Sequence, residues 1–303
     1  MARLLGVAQM CSSLDKAANL AVCTQLVRAA KAQAPGCRFV AFPEAFEFMG
    51  RPGSNDSLEA AEELAGPTLS AYRDLARSEE VWLSLGGFHE RVAGSSKIAN
   101  THVIVDAQGA IVQTYRKLHL FDVDVDGGYR ESDSTLRGDR VVVARSTPVG
   151  DVGVTTCYDV RFPALYSALR DLGADVLLVP SAFMPTTGNA HWHTLLRARA
   201  IETQCFVVAS AQAGVHNAQP VGVAAPSAAG ARLRESYGHS LVVDPWGTVL
   251  CDLGKEAPSV QVVELDFNTM QSVRQRMPAQ QHRWANASVV DSSTCNRSSA
   301  PAR

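Results

Sequence analysis

Three observations predict a layered α/β fold for this 303-residue chain. Short apolar, β-branched runs alternate with segments whose apolar residues recur at helical spacing. Several strands follow one another through tight turns, so antiparallel pairs are mixed with strand–helix–strand units. A hydrophobic content of 46% with 19% charged residues is ordinary for a soluble chain that can bury a sizeable core, as one large domain or two smaller ones.

The elements follow in order. Residues 3–10 read as a strand, and 14–32 as a helix in which Leu20, Cys23, Val27 and Ala30 share a face. "CRFVAFPEAF" (37–46) is a buried strand running into a loop, and 60–78 fits a second helix. Strands are expected at 81–90, 101–109 and 110–120, with Ala107-Gln108-Gly109 as a turn. The second half begins with strands at 140–145 and 151–157. A helix at 163–172, a strand at 175–180 and a helix at 190–203 come next. Strands at 205–211, 238–244, 247–252 and 258–265 complete the pattern, with Asp244-Pro245-Trp246-Gly247 as a turn. Residues 214–236, rich in Gly, Ala, Pro and Ser, read as a long loop, and 283–303 as a mobile tail after a domain of residues 1–282. "AFPEAF" (41–46) and "LVPSAF" (178–183) both end a buried strand with Pro-x-Ala-Phe, which suggests matching corners in two halves of one sheet system.

Composition excludes several classes. A formal charge of −2 offers no electrostatic footprint for nucleic acid or an anionic membrane surface. No uncharged apolar run is long enough to span a bilayer, and "MARLLGVAQM" enters a strand pattern without a secretory leader. The seven cysteines are odd in number and scattered, with no CxxC pair. A reducing, cytoplasmic setting fits them better than disulfides or structural zinc; a mitochondrial form is the alternative, although no clear transit peptide is present.

Several residues could carry chemistry. Cys157 ends the strand "DVGVTTC" just before Pro163 opens a helix, where helix-terminal N–H groups would favour a thiolate and the Tyr158 N–H could face an oxyanion. A buried inert thiol is the other reading. Glu44, behind Pro43 at the end of an apolar strand, would be desolvated toward a pKa useful for proton transfer, unless it is a salt-bridged loop acid. Lys117, one of five lysines, ends a strand and could be held by Glu131; otherwise it is a surface lysine. His191 and His193 lie two apart on a helix and face different ways, so no metal site is expected.

Taken together, "FPEAF" (42–46), "YRKLHL" (115–120), "CYDVRFP" (157–163) and "PSAF" (180–183) resemble the nitrilase, or carbon–nitrogen hydrolase, superfamily. "WLSLGGFHER" (82–91), "RES" (130–132), "HW" with "LLRARAIE" (191–202) and "SYGHSLVVDPWGTV" (236–249) are similar to its deaminated glutathione amidase branch. The resemblance covers residues 3 to 283. It implies an α-β-β-α sandwich that associates as a homodimer or larger, and a small-molecule amide as substrate. It makes Cys157 the nucleophile, Glu44 the general base, Lys117 the oxyanion stabiliser and Glu131 a second acid. Arg161 would hold a substrate carboxylate, and Phe183 and Thr187 would line the pocket. Neither cofactor nor metal is required. The implied reaction hydrolyses deaminated glutathione to 2-oxoglutarate and cysteinylglycine; an ω-amidase, another small-amide or carbamoyl hydrolase, or a non-enzymatic scaffold are the alternatives. Ala164 departs from the family's usual glutamate, as do the loop before Glu131 and the inserted 216–234 segment.

Overall fold

A computed structural model describes residues 3–124, 128–217 and 233–283. Its elements begin with β1 (Leu4–Gln9), α1 (Lys16–Gln33), β2 (Phe39–Phe42), α2 (Asp56–Ala60) and α3 (Pro67–Glu79). Then come β3 (Trp82–Arg91), β4 (Ile98–Val105), β5 (Ile111–Arg116), β6 (Asp122–Val123), β7 (Tyr129–Arg130), β8 (Thr135–Leu136) and β9 (Val142–Thr147). The second half holds β10 (Gly150–Val154), α4 (Pro163–Asp171), β11 (Val176–Leu178), α5 (Pro185–Thr203), β12 (Phe206–Ala209), β13 (Ala213–Val215) and β14 (Glu235–Tyr237). It closes with β15 (Leu241–Val243), β16 (Val249–Asp252), β17 (Ser259–Glu264), α6 (Phe267–Arg276) and α7 (Ala279–His282).

Two sheets stack. The first runs β17-β1-β2-β3-β4-β5, with β8 beside β4, and the second runs β16-β15-β12-β11-β10-β9. Each contains three parallel strands, β1-β2-β3 and β10-β11-β12, followed by antiparallel ones. The Pro-x-Ala-Phe corners therefore follow equivalent strands, β2 and β11. Three apolar cores fill three interlayer spaces. Cys23, Val27, Leu69, Tyr72 and Leu75 pack α1 and α3 onto the outer face of the first sheet. Leu165, Leu169, Trp192 and Leu196 pack α4 and α5 onto the second. Val7, Phe39, Ile104, Val154, Leu178, Phe206 and Val208 interdigitate between the sheets. Alternation along the strands sends successive residues to opposite faces, so each strand feeds two cores. This is the α-β-β-α sandwich.

The differences from the expected elements have local causes. The helix expected at 60–78 begins only at Pro67, whose fixed φ suits a first turn, while 56–60 forms a separate short helix. Likewise α5 starts at Pro185 rather than 190, so His191 and His193 sit in its middle. The strand ending at 157 stops at Val154, and Cys157 lies in a 3-10 turn over Cys157–Arg161. Residues 214–236 are not all loop, because β13 and β14 pair across them; 218–232 lie outside the described residues, as does the expected tail beyond Arg283. Helix α6 carried no apolar stripe, since among its residues only Met270 is buried.

Two buried histidines tie this frame together and set its acid sensitivity. His102 bridges the Ser84 hydroxyl (2.7 Å) and the Thr155 carbonyl (2.9 Å) across the two sheets. His216 bridges the Ser12 carbonyl (2.9 Å) and Ser236 (2.8 Å). Burial pushes the pKa of each down from 6.5 to about 4. Each is neutral when folded and takes a proton on unfolding, so stability is complete above about pH 6.5 and falls until about pH 4. The loss should reach about 3 kcal/mol per histidine. Urea unfolding between pH 7.5 and 4.5 should show that slope, and His102→Gln should remove about half of it. The carboxylates held below their usual range begin to lose their contribution near pH 4.5, at the acid end of this window, and lose most of it below.

Candidate active site

Four side chains from four chain segments converge where the strand ends of both sheets meet. Glu44 follows β2 and Pro43 in a turn that puts Ala45 at φ +57°. Gly87 takes φ +71° in the bulge between β3 and β4. A Cβ on Gly87 would lie 2.7 Å from the Glu44 Cγ, so a side chain there would displace the carboxylate. Across the sheets, a Cβ on Gly86 would lie 2.1 Å from Pro180. That close approach sets the spacing between the two Pro-x-Ala-Phe corners.

Lys117 follows β5, where alternation puts it on the inward side with Tyr115 while Arg116 turns out to pair with Glu90 at 2.6 Å. Only 2% of Lys117 is exposed. Its Nζ lies 2.8 Å from Glu131 Oε2 and 3.1 Å from Glu44 Oε1. Glu131 also accepts from the Phe121 N–H at 2.7 Å. Asn100 of β4 donates to both acids, at 2.8 Å to Glu44 and 3.2 Å to Glu131. The Ala182 N–H, from the second corner, reaches Glu44 Oε2 at 3.1 Å.

Cys157 stands in a left-handed conformation at φ +51°, held by its N–H to the Pro180 carbonyl at 2.8 Å. A strained non-glycine backbone of this kind aims a side chain at a site. The Tyr158 N–H is in the first turn of the 3-10 segment, where helical hydrogen bonding leaves donors open.

The protonation state differs from the one expected from position alone. Burial pushes the Cys157 thiol well above its ordinary range, and the Glu44 charge pushes it further, more than Lys117 can offset. Burial alone would raise the Glu44 carboxyl too. The Lys117 charge and hydrogen bonds from the thiol, Asn100 and Lys117 outweigh burial, so its pKa sits below the usual value. Burial likewise opposes the Lys117 charge, but Glu131 and Glu44 hold its pKa well above normal. The resting set is thus a thiol beside a carboxylate, not a thiolate at a helix terminus. Burial first, and the Glu44 charge second, keep the thiol protonated beside Lys117.

Asp159 joins the two loops that carry this chemistry. Completely buried, it accepts from Tyr115 OH (2.7 Å), the His119 N–H (3.0 Å), His119 Nδ1 (2.7 Å) and the Thr156 N–H (2.9 Å). Its partners flank Lys117 on one side and precede Cys157 on the other. Asp159→Asn would set an amide NH2 against these donors. We expect kcat to fall about 10²-fold with little change in KM, because a small misplacement of reacting groups has that effect; steady-state kinetics will check it.

The remaining expected residues are placed less uniformly. Arg161 sits with its guanidinium 5.6 Å from the Tyr158 ring and 5.5 Å from the Phe183 ring, and 3.3 Å from His191 Nδ1. Among the described residues no carboxylate pairs with it. Phe183 packs on Trp192 at 4.7 Å. Thr187 turns its hydroxyl back to the Met184 carbonyl at 3.4 Å, and no hydrogen bond joins it to the cluster. Ala164 is exposed in the first turn of α4, so a missing acid there leaves the cluster untouched. Arg199 of "LLRARAIE" is used within the chain, donating to the Val160 carbonyl at 2.9 Å. Sequence reasoning missed Asn100, the Ala182 N–H and Gln212, whose side chain donates to the Glu44 carbonyl at 2.9 Å. The one trace in the sequence was the polar run Asn100-Thr101-His102 inside a strand that is apolar at both ends.

The chain is similar to known proteins over most of its length. The family model for carbon-nitrogen hydrolase matches residues 4–275. The deaminated glutathione amidase of Homo sapiens is 46% identical over 285 residues, covering 92% of this chain and 82% of that protein. That of Synechocystis is 38% identical, covering 92% and 97%. Among solved structures, the Caenorhabditis elegans NitFhit protein superposes with a TM-score of 0.81 at 38% identity, over 92% of this chain and 64% of that one. Saccharomyces cerevisiae Nit3, a member of branch 10 of the nitrilase superfamily, gives 0.77 at 29% identity over 93% and 96%. With its fold, its buried cluster and these relatives in agreement, the chain belongs to the carbon-nitrogen hydrolase, or nitrilase, superfamily and hydrolyses carbon–nitrogen bonds of the amide type.

Proposed function

We propose that this chain is a cysteine-dependent amidase acting on deaminated glutathione, with Cys157, Glu44, Lys117 and Glu131 as its catalytic set. The observation that carries the reading is the buried cluster in which the Lys117 ammonium lies 2.8 and 3.1 Å from Glu131 and Glu44 while the Cys157 thiol hydrogen-bonds to Glu44. Glu44 takes the Cys157 proton as sulfur attacks the amide carbonyl, and the oxyanion is stabilised by Lys117 Nζ and the Tyr158 N–H. Glu44 then gives its proton to the departing amine, leaving a thioester. Water, deprotonated by Glu44, attacks the thioester and releases the acid and the thiol. Glu131 holds Lys117 throughout. Its second acid contact to the Phe121 N–H fixes the loop that borders the site.

The substrate assignment rests on Arg161, with the relatives named above in support. A guanidinium with no carboxylate partner among the described residues suits a keto-acid carboxylate, and Phe183 beside it gives the pocket an apolar wall. The proposal treats residues 1–282 as one hydrolase domain, cytoplasmic and homodimeric or larger; light scattering on the eluted protein will give its mass. The test of the substrate is the ratio of kcat/KM for deaminated glutathione and 2-oxoglutaramate. A ratio of at least about tenfold in favour of the first is expected; the reverse would assign an ω-amidase.

A further inference from the structure

Away from the Cys157 cluster, three side chains distant in sequence meet on the outer side of the second sheet. His193 lies in α5, His239 in the turn between β14 and β15, and Asp252 ends β16. His193 Nε2 is 2.7 Å from Asp252 Oδ2, and His239 Nδ1 is 3.0 Å from Oδ1. One ligand atom from each lies within 4.8 Å of the other two. We propose that His193, His239 and Asp252 form a binding site for one divalent transition-metal cation of the zinc class.

The donor set supports this assignment. Two imidazoles and one carboxylate suit zinc, cobalt or nickel, whereas calcium and magnesium favour oxygen ligands alone. A metal at about 2.0–2.2 Å from each donor fits atoms this close after a shift of a fraction of an ångström. In doing so it replaces the proton that each ring nitrogen now directs at Asp252. Among the described residues no lysine or arginine pairs with Asp252, so no fixed cation competes for the carboxylate. Partial exposure of the three side chains, between 21% and 37%, leaves room for water as a fourth ligand.

The donors are also held from behind. Trp192 Nε1 donates to the His239 carbonyl at 2.8 Å. The Tyr237 ring stacks on the His239 imidazole at 4.5 Å, tilted by 24°. The Gly254 N–H donates to Asp252 Oδ1 at 2.9 Å. Fixed donors of this kind lower the ordering cost of binding. The ion would clasp α5, the β14–β15 turn and β16 together, and through Trp192 and Tyr237 it would stiffen the backing of Phe183. Tyr237 donates its N–H to the Phe183 carbonyl at 2.8 Å. No step at Cys157 depends on the ion.

The test uses the full-length protein, stripped with chelator and titrated with Co²⁺ and then Zn²⁺. One Co²⁺ per chain should bind, with weak visible bands and no thiolate charge-transfer band. Zn²⁺ should raise the melting temperature. His193→Gln keeps a donor to Asp252 but loses the ligand, so it should fold normally while affinity falls by at least about tenfold. Asp252→Asn should behave alike. Absence of stoichiometric binding would overturn the proposal. So would a thiolate band, or affinity unchanged in His193→Gln and Asp252→Asn.

Discussion

Cys157→Ala should abolish amide hydrolysis, lowering kcat by at least about 10⁴-fold, while leaving the fold intact. The substitution removes one buried sulfur and keeps a Cβ, so the backbone strain at φ +51° is the same in both proteins. Loss of fold is therefore no explanation for loss of turnover, and circular dichroism with a urea midpoint will document that. The protonation of the site sharpens the prediction. Because burial and the Glu44 charge keep the thiol protonated well above its ordinary range, nucleophilicity has to be created during attack, by transfer of the proton to Glu44. The rate should then show no ionisation limb near the ordinary thiol pKa of about 8.5. Its acid limb should fall below the usual carboxylate range, because Glu44 stays ionised there. Glu44→Gln should leave a thiol with no acceptor and accumulate no thioester by intact mass. Full activity in Cys157→Ala would refute the assignment.

Much of this site was legible because each of its parts ends a regular element. Glu44 sits behind Pro43, Lys117 closes an alternating strand, and Cys157 lies in the gap before a helix opened by Pro163. Such junctions are written locally, in turn residues and periodicity. The signs of the perturbed pKa values were not. Desolvation predicts a raised Glu44 and a helix terminus predicts a lowered Cys157, yet Lys117, contributed by a strand 73 positions away from Glu44, reverses the first, while burial and the Glu44 charge reverse the second. Asp159 tells the same story. Its bonds to Tyr115 and His119 exist only once β5 packs beside the cysteine loop. Gly86 and Gly87 are likewise plain in the sequence, though their bulge has meaning only against Glu44 and Pro180. Helix α6 was missed for the opposite reason: it buries too little to leave a periodic trace.

Lys117→Met should have two separable effects, and their separation is what identifies the residue's role. The ammonium is 2% exposed and is the only cation bonded to Glu44 and Glu131 among the described residues. Removing it leaves two carboxylates facing one another without a countercharge, a defect of about 3–5 kcal/mol in buried ion pairs. One acid can recover part of that by taking up a proton, so the loss should be smaller at pH 5 than at pH 8. Turnover should fall by at least about 10³-fold, the effect of removing an oxyanion donor. Stability alone does not distinguish a structural lysine from a catalytic one. The double variant Lys117→Met with Glu131→Gln does, because it removes one charge of each sign and restores the balance around Glu44. Its urea midpoint should move back toward that of the parent, while kcat stays at the level of the single variant. Recovery of both would make Lys117 a scaffold residue and leave the oxyanion to the Tyr158 N–H alone. Recovery of stability without turnover, with Glu131→Gln alone retaining more activity than the double variant, would place the ammonium on the reaction path, in contact with the oxygen that becomes charged when sulfur adds.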